Sequence, residues 1–361
     1  MTALNIFDRL ADVPTTPGRH VARIPVTVEL SGQEVAIWTH VLVGRHAGPT
    51  LVLLSGAHGN EWGHIEFMHR FVREFDPSVV RGTLFVVPQA NPPALGALSR
   101  AMPDDSDQPD VNRSYPGGDR RFTWLAEQIA TTLATEIIPR ADALIEFHVG
   151  IWGSAMGSSI VGSDYSNEEM RKQCLDLALI FGVPLIFTTC AVGGFPGPRS
   201  LLGYAGERAG VPTTGSMIGG SGFERSTELR WQHANERGIA NVMRYMGMLR
   251  GEPELPASYL VYQTVERVNP RNGGLLLPAR AREEFGRPVT AGEVLGTVVS
   301  PYSLEVIETL VSPSDGFLAY WARDYPVHPG DWSFGVIPAG HPGTRTVSIR
   351  DERPRPWAGR G

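Results

Sequence analysis

The stretch that decides the fold is Leu51-Val-Leu-Leu-Ser-Gly-Ala-His-Gly-Asn-Glu61. Thr50 to Leu54 is short, apolar and bounded by turn residues, the pattern of a strand buried on both faces of a parallel sheet. Ser55-Gly56 breaks it. Beyond Glu61 the period changes: Ile65, Met68, Phe71, Val72 and Phe75 recur at helical spacing. The stretch therefore predicts strand, tight turn, helix. His58 and Glu61 fall at the carboxyl end of the strand, where open α/β sheets bind their ligands. An imidazole and a carboxylate three residues apart can share one cation. Taken alone, His-x-x-Glu is better explained by a histidine that caps or packs, so the rest of the chain has to decide.

Working outward, Ala22–Leu30 and Glu34–Val43 are strand-like and joined by Ser31-Gly32-Gln33, which predicts a hairpin. Thr83–Val87 is a further strand, followed by a loop from Pro88 to Pro93. A long polar loop, Arg100 to Asp119, comes next, and loops of that length are functional or disordered. Its acidic part, Asp104 to Asp110, reads as solvated. Asn112 and Arg113 suit a substrate carboxylate, though an arginine bridging loop aspartates fits equally well. Phe122, Leu125, Ile129, Leu133 and Ile137 form a helical stripe. Ala143–Phe147 is a strand with His148 at its end, and Glu146 could orient that histidine or form a salt bridge. Helix 167–181, strand 184–188, a glycine- and proline-rich loop, Arg199 with a helix to Ala209, strand 211–218 and a helix 226–249 capped at Ser226 follow.

This alternation predicts an α/β fold: a mainly parallel mixed sheet with helices on both faces, spanning residues 1–250. Residues 251–340 change to short β-prone runs punctuated by glycine and proline, which predicts a small antiparallel C-terminal β-domain. Residues 341–361 are rich in proline and arginine and read as a flexible tail.

The chain has 361 residues, 42% hydrophobic and 19% charged, with net charge −6. That balance argues against a nucleic-acid partner. No apolar run approaches the roughly 20 residues of a membrane span, and the N-terminus lacks a signal-peptide pattern. Cys174 and Cys190 make no disulfide framework and fit a reducing compartment. The expectation is a cytoplasmic protein; its oligomeric state, homo-oligomer included, stays open.

Gly56-Ala-His-Gly-Asn-Glu61, Asp110-Val-Asn-Arg113 with Tyr115-Pro-Gly117, and Glu146-Phe-His148 resemble the metal and substrate motifs of the succinylglutamate desuccinylase/aspartoacylase family, a branch of the zinc carboxypeptidase-like fold. The resemblance spans residues 20 to 338. It implies one Zn2+ per chain on His58, Glu61 and His148, which also matches the open three-ligand pattern of catalytic zinc. His64, His69 and His233 lie in helical segments and are not expected to be ligands. The resemblance further implies that Asn112 and Arg113 bind the substrate carboxylate, and that Arg100 stabilises the oxyanion. Arg199 is a further substrate-binding candidate. In relatives a glutamate after a Val-Pro strand is the general base; here the segment reads Val211-Pro-Thr-Thr-Gly-Ser-Met-Ile-Gly-Gly220, with Met217 in its place. Glu224 is the next carboxylate in sequence and the candidate substitute, against the alternative of a solvated residue ahead of a helix. The implied function is a zinc-dependent amidohydrolase acting on a small N-acyl amino acid or related carboxylate. A metal-dependent lyase or isomerase, or a non-catalytic ligand-binding relative, are the alternatives that Met217 raises.

Overall fold

The computed structural model describes residues 5–103, 108–118, 123–150, 153–161, 167–188, 197–280 and 284–359. Its centre is four parallel strands in the order Arg81–Val87, His46–Ser55, Ala143–Phe147 and Thr213–Gly220. The hairpin Gly18–Val28/Glu34–Val43 continues the sheet antiparallel on one side, and Ser154–Val161 does so on the other. The large sheet is thus mixed, with its parallel part in the middle.

Side chains alternate across a strand, and the His46–Ser55 strand shows why both faces must be covered. Val52 and Leu54 pack into one apolar cluster with Ile129 and Leu133 and with Leu201 and Leu202 of the helix Leu201–Glu207. Leu51 and Leu53 pack into another, with Phe67 and Met68 of helix Trp62–Glu74, Leu177 and Phe181 of helix Glu168–Phe181, and Val242 and Met243 of helix Arg225–Tyr245. All four strand residues are fully buried. Burying side chains of this size stabilises the fold by about 1.5–3 kcal/mol each. Four parallel strands covered this way present their carboxyl ends at one edge of the sheet, and the candidate site lies there.

After residue 251 the chain builds an antiparallel four-stranded sheet from Val306–Val311, Val294–Val299, Gly274–Pro278 and Tyr325–Val327. It also returns strands to the large sheet: Gly316–Ala322 pairs with Ser154–Val161, with Tyr320 opposite Met156. No helix among the described residues is long and apolar enough to cross a membrane.

Three features differ from the sequence reading. The strand Ser154–Val161 has no apolar alternation, because a glycine and three serines interrupt it; it forms by pairing with strands on both sides. Ser226 lies inside the helix Arg225–Tyr245, which starts at Glu224 without a side-chain cap. The tail is anchored rather than flexible. Arg345–Ser348 pairs with Ser258–Tyr262, the Arg355 guanidinium bonds Asp176 and Glu169, and Trp357 packs edge-on against Tyr245. Phe122, Cys190, Asp104 to Asp107 and most of the loop 193–198 lie outside the described residues.

Candidate metal centre

The turn after Ser55 is shaped by close packing. Gly59 lies so near the short helix Pro92–Gly96 that a Cβ there would fall 2.0 Å from the Ala94 carbonyl carbon and oxygen. Gly59 and Asn60 donate their backbone N–H groups to Ser99 O. This fixes the loop that carries His58 and Glu61, with helix Trp62–Glu74 starting directly after Glu61. His148 is held from the next strand, its backbone N–H donating to Ser216 O at 2.8 Å.

The structure brings His58, Glu61 and His148 together. Glu61 Oε1 lies 2.7 Å from His58 Nδ1, and Glu61 Oε2 lies 2.9 Å from His148 Nδ1 and accepts from Val149 N. Their candidate ligand atoms all lie within 4.8 Å of one another, and all three side chains are buried. Among the described residues no other His, Cys, Asp or Glu group has such spacing. His64, three residues after Glu61, is buried but turned away, with Nε2 against Ile218 O and Asn235.

Carboxylates orient both imidazoles from behind. His58 Nε2 faces Asp110 Oδ1 at 3.1 Å, and His148 Nε2 faces Glu146 Oε1 at 2.9 Å. Asp110 is therefore more than a solvated member of an acidic run. It also accepts from Asn112 N, capping the turn Val111–Arg113. Asp two residues ahead of Asn at a turn start is a capping pattern, the one signal in the sequence that marks it.

Charge is concentrated here. Burial opposes ionisation of Glu61, but the pull of His58 and His148 outweighs it and holds the carboxyl well below the usual range. Burial likewise opposes ionisation of Asp110, while His58, Arg100 and Arg113 bring it down to about 2. Burial pushes His148 down, yet Glu146 and Glu61 on either side raise it above an ordinary histidine. Two buried carboxylates around one imidazole demand a positive charge, and nitrogen and oxygen donors converging in this way suit a divalent cation such as zinc.

The remaining candidates are distributed around this centre. Arg100 is at its edge, with Nη1 donating to Glu61 Oε1 at 3.0 Å and Nη2 3.7 Å from Asp110. Asn112 is fully buried and its amide is occupied: Oδ1 accepts from Leu201 N at 2.7 Å and Nδ2 donates to Glu146 Oε1 at 3.0 Å. That arrangement holds Glu146 in place behind His148. Arg113 is exposed, with Nη1 donating to Asn112 O. Arg199 is exposed, with Nη2 3.6 Å from Glu127 Oε1 and its backbone carbonyl accepting from Tyr115 N. Glu224 is exposed at the head of its helix, its carbonyl accepting from Thr227 N and Glu228 N, the arrangement of a residue ahead of a helix.

Met217 is close to the centre. Glu146 pairs with Gly215 and Phe147 with Ser216, so the same register continued by one residue sets Met217 beside His148. Its side chain packs on the sheet face that carries Leu144, which by alternation is the face of Glu146 and His148.

A buried His-Glu-His cluster at the carboxyl ends of a parallel sheet, with a β-rich C-terminal region, defines a protein of the zinc carboxypeptidase-like fold. Residues 47–201 match the succinylglutamate desuccinylase/aspartoacylase catalytic domain. The match covers the stretch that carries His58, Glu61 and His148 and supports that family. It is similar to N-alpha-acetyl-L-2,4-diaminobutyric acid deacetylase from Halomonas elongata, with 27% identity over 86% of this chain and 88% of the relative. It is also similar to the crystal structure of a succinylglutamate desuccinylase/aspartoacylase from Rhodobacter sphaeroides, with a TM-score of 0.72, 25% identity, and coverage of 92% of this chain and 98% of that one. The product-bound ectoine utilization protein EutE (DoeB) from Ruegeria pomeroyi shares the fold, with a TM-score of 0.74 and 22% identity over 90% of this chain and 98% of that one.

Proposed function

We propose that the chain is a zinc-dependent amidohydrolase that removes the acyl group from a small N-acyl amino acid or related carboxylate. The observation that carries this reading is the convergence of His58, Glu61 and His148 in a chain whose relative is a deacetylase of an N-acetylated amino acid. One zinc on these three residues would polarise the amide carbonyl and make a water acidic enough to attack near neutral pH.

The protein's own residues supply the rest. Asp110 and Glu146 fix the orientation of the two imidazoles. Arg100, already within hydrogen-bond reach of Glu61, is positioned to hold an oxygen that gains negative charge. Arg113 presents an exposed guanidinium that can grip a carboxylate by two parallel hydrogen bonds. Asn112 acts through Glu146 rather than on substrate, because its amide is already occupied. Arg199 stays a candidate for the outer part of the substrate. The enzyme is taken to be cytoplasmic, its one described cysteine being a buried free thiol, and to act on small molecules without nucleic acid or membrane.

Met217 favours a second reading. A thioether beside His148 cannot accept a proton, whereas hydrolysis calls for an acceptor within hydrogen-bond reach of the attacking water. A lyase or isomerase acting on the same small carboxylates has no such need.

The deciding experiment measures zinc content and amine release from a panel of N-acyl amino acids that includes N-acetyl-2,4-diaminobutyric acid. Release that stops on chelation and returns with zinc supports the hydrolase. Zinc bound without amine release across the panel overturns the hydrolase; consumption of the substrate then marks the lyase or isomerase, and binding without consumption marks the non-catalytic relative. Glu224→Gln with unchanged kcat removes Glu224 as a base, and a rise in amine release by Met217→Glu would identify the missing acceptor as the limit on rate.

A further inference from the structure

The four-stranded C-terminal sheet has two apolar faces, and only one of them is covered. On the inner face Leu276, Leu295, Val298, Leu310 and Val327 are buried and pack with Phe334 and Val336. Side chains alternate along each strand, so the residues between these point the other way. There Leu275 stands opposite Val299 and Leu277 opposite Thr297. Across the next pair of strands Thr297 is opposite Thr309, Val299 opposite Val306 and Val294 opposite Val311. An antiparallel sheet with one face in water usually turns polar and charged residues to that face. Here the outward residues are aliphatic apart from two threonines, and none is charged.

The turn between Val294–Val299 and Val306–Val311 extends the patch. Tyr302 is 95% exposed and Leu304 77% exposed, beside Val306 at 58%. Leu304 has φ 63°, in the left-handed region that side chains other than glycine rarely adopt. The turn holds it there, with Leu304 N–H donating to Ser300 O and Ser300 N–H to Glu305 O. Single exposed apolar residues are ordinary, whereas a contiguous patch of several hundred Å² marks an interaction surface. The exposed apolar residues of this sheet and its turn present on the order of 800 Å², the area that one partner contributes to a standard protein–protein interface.

We propose that this face packs against the same face of a second copy of the chain, forming a two-fold dimer through the C-terminal sheets. The area is that of a stable interface, and a self-complementary patch is what a two-fold axis requires. The charge pattern points to the same occupant. In a chain of net charge −6 an uncharged face is where two copies meet without repulsion. It offers no complement to an acidic or basic protein. An anionic membrane surface is disfavoured too, because Gly274–Pro278, Val294–Val299 and Val306–Val311 contain no lysine or arginine. The contact is by face rather than by edge. Val306–Val311 is an edge strand of this sheet, but its Glu308 carboxylate is held by Arg271 N, Asn272 N and Asn272 Nδ2. A register shift beside Val299 also distorts the strand pair, and both features discourage pairing by a further strand. Two sheets stacked face to face stand about 10 Å apart, close enough to hide the outward leucines and valines from water.

The test is sedimentation equilibrium of the zinc-loaded full chain over a wide range of concentration. The proposal predicts twice the chain mass, with a dissociation constant of about 1 μM or tighter, as interfaces of this size give. Thr309→Lys places like charges against each other across the interface and should weaken the dimer by about 100-fold or more. Thr309 is exposed, so that variant should keep the wild-type melting temperature and zinc content, and Thr309→Ser should stay dimeric. Tyr302→Ala, at the most exposed position of the patch, should weaken the dimer by about tenfold or more. A chain that is monomeric at about 50 times that dissociation constant overturns the proposal. So does a dimer that neither Thr309→Lys nor Tyr302→Ala weakens, and so does a monomeric chain that floats with phosphatidylcholine vesicles, which would give the face to a membrane.

Discussion

Replacing Asn112 with leucine separates a positioning role from a substrate contact. The side chain is fully buried: Oδ1 accepts from Leu201 N, and Nδ2 donates to Glu146 Oε1 and lies 3.2 Å from His148 Nε2. Leucine has nearly the same shape but neither donates nor accepts. The Leu201 N–H is then left unsatisfied at a cost of about 1–3 kcal/mol, and a hydrogen bond to a charged carboxylate worth about 1.5–3 kcal/mol is lost. The variant should lose about 2.5–6 kcal/mol of stability in urea denaturation, together with zinc affinity, because Glu146 no longer holds His148 in register. Asn112→Asp keeps an acceptor for Leu201 N but sets a second carboxylate against Glu146, so it should retain less zinc than wild type. A change in KM with stability and zinc affinity intact would refute this reasoning and return Asn112 to the substrate.

Two other outcomes follow from packing and burial. Gly59→Ala sets a methyl group against the Ala94 carbonyl; it should destabilise by about 1–3 kcal/mol as overpacking does and reduce zinc content, and an alanine variant with full zinc and an unchanged melting temperature would contradict the packing account. Burial lowers the His64 pKa to about 3, while an unfolded histidine titrates near 6.5. Between those values the unfolded chain binds a proton that the folded chain refuses, so this contribution is complete above about pH 6.5 and is lost as the pH falls toward 3, with a slope approaching about 1.4 kcal/mol per pH unit. Urea midpoints of His64→Gln should fall less steeply than wild type over that range, and parallel curves would show that His64 does not carry the effect.

The central strands and the convergence of His58, Glu61 and His148 are legible in the sequence because local pattern and tertiary position agree there. The apolar run Leu51–Leu54 can only be a strand covered on both faces, and His58 and His148 each follow such a run. The strand Ser154–Val161 is not legible, since its serines and glycine have low strand preference and its partners come from residues 213 to 220 and 316 to 322. Composition misleads at the C-terminus, where a handful of contacts by Val347, Arg355 and Trp357 order a segment that is polar on average. Asp110 is missed because an aspartate within a run of aspartates carries no local sign that His58, 52 residues away, will face it.

The most direct test of the account follows the oxygen. Zinc-loaded protein is given an N-acyl amino acid in heavy-oxygen water, and the released acyl product is weighed by mass spectrometry. The account predicts a single heavy oxygen in the new carboxylate, with formation of that product abolished in His148→Ala. An acyl product that forms at the wild-type rate without the label, or a His148→Ala protein that keeps both zinc and turnover, would contradict it.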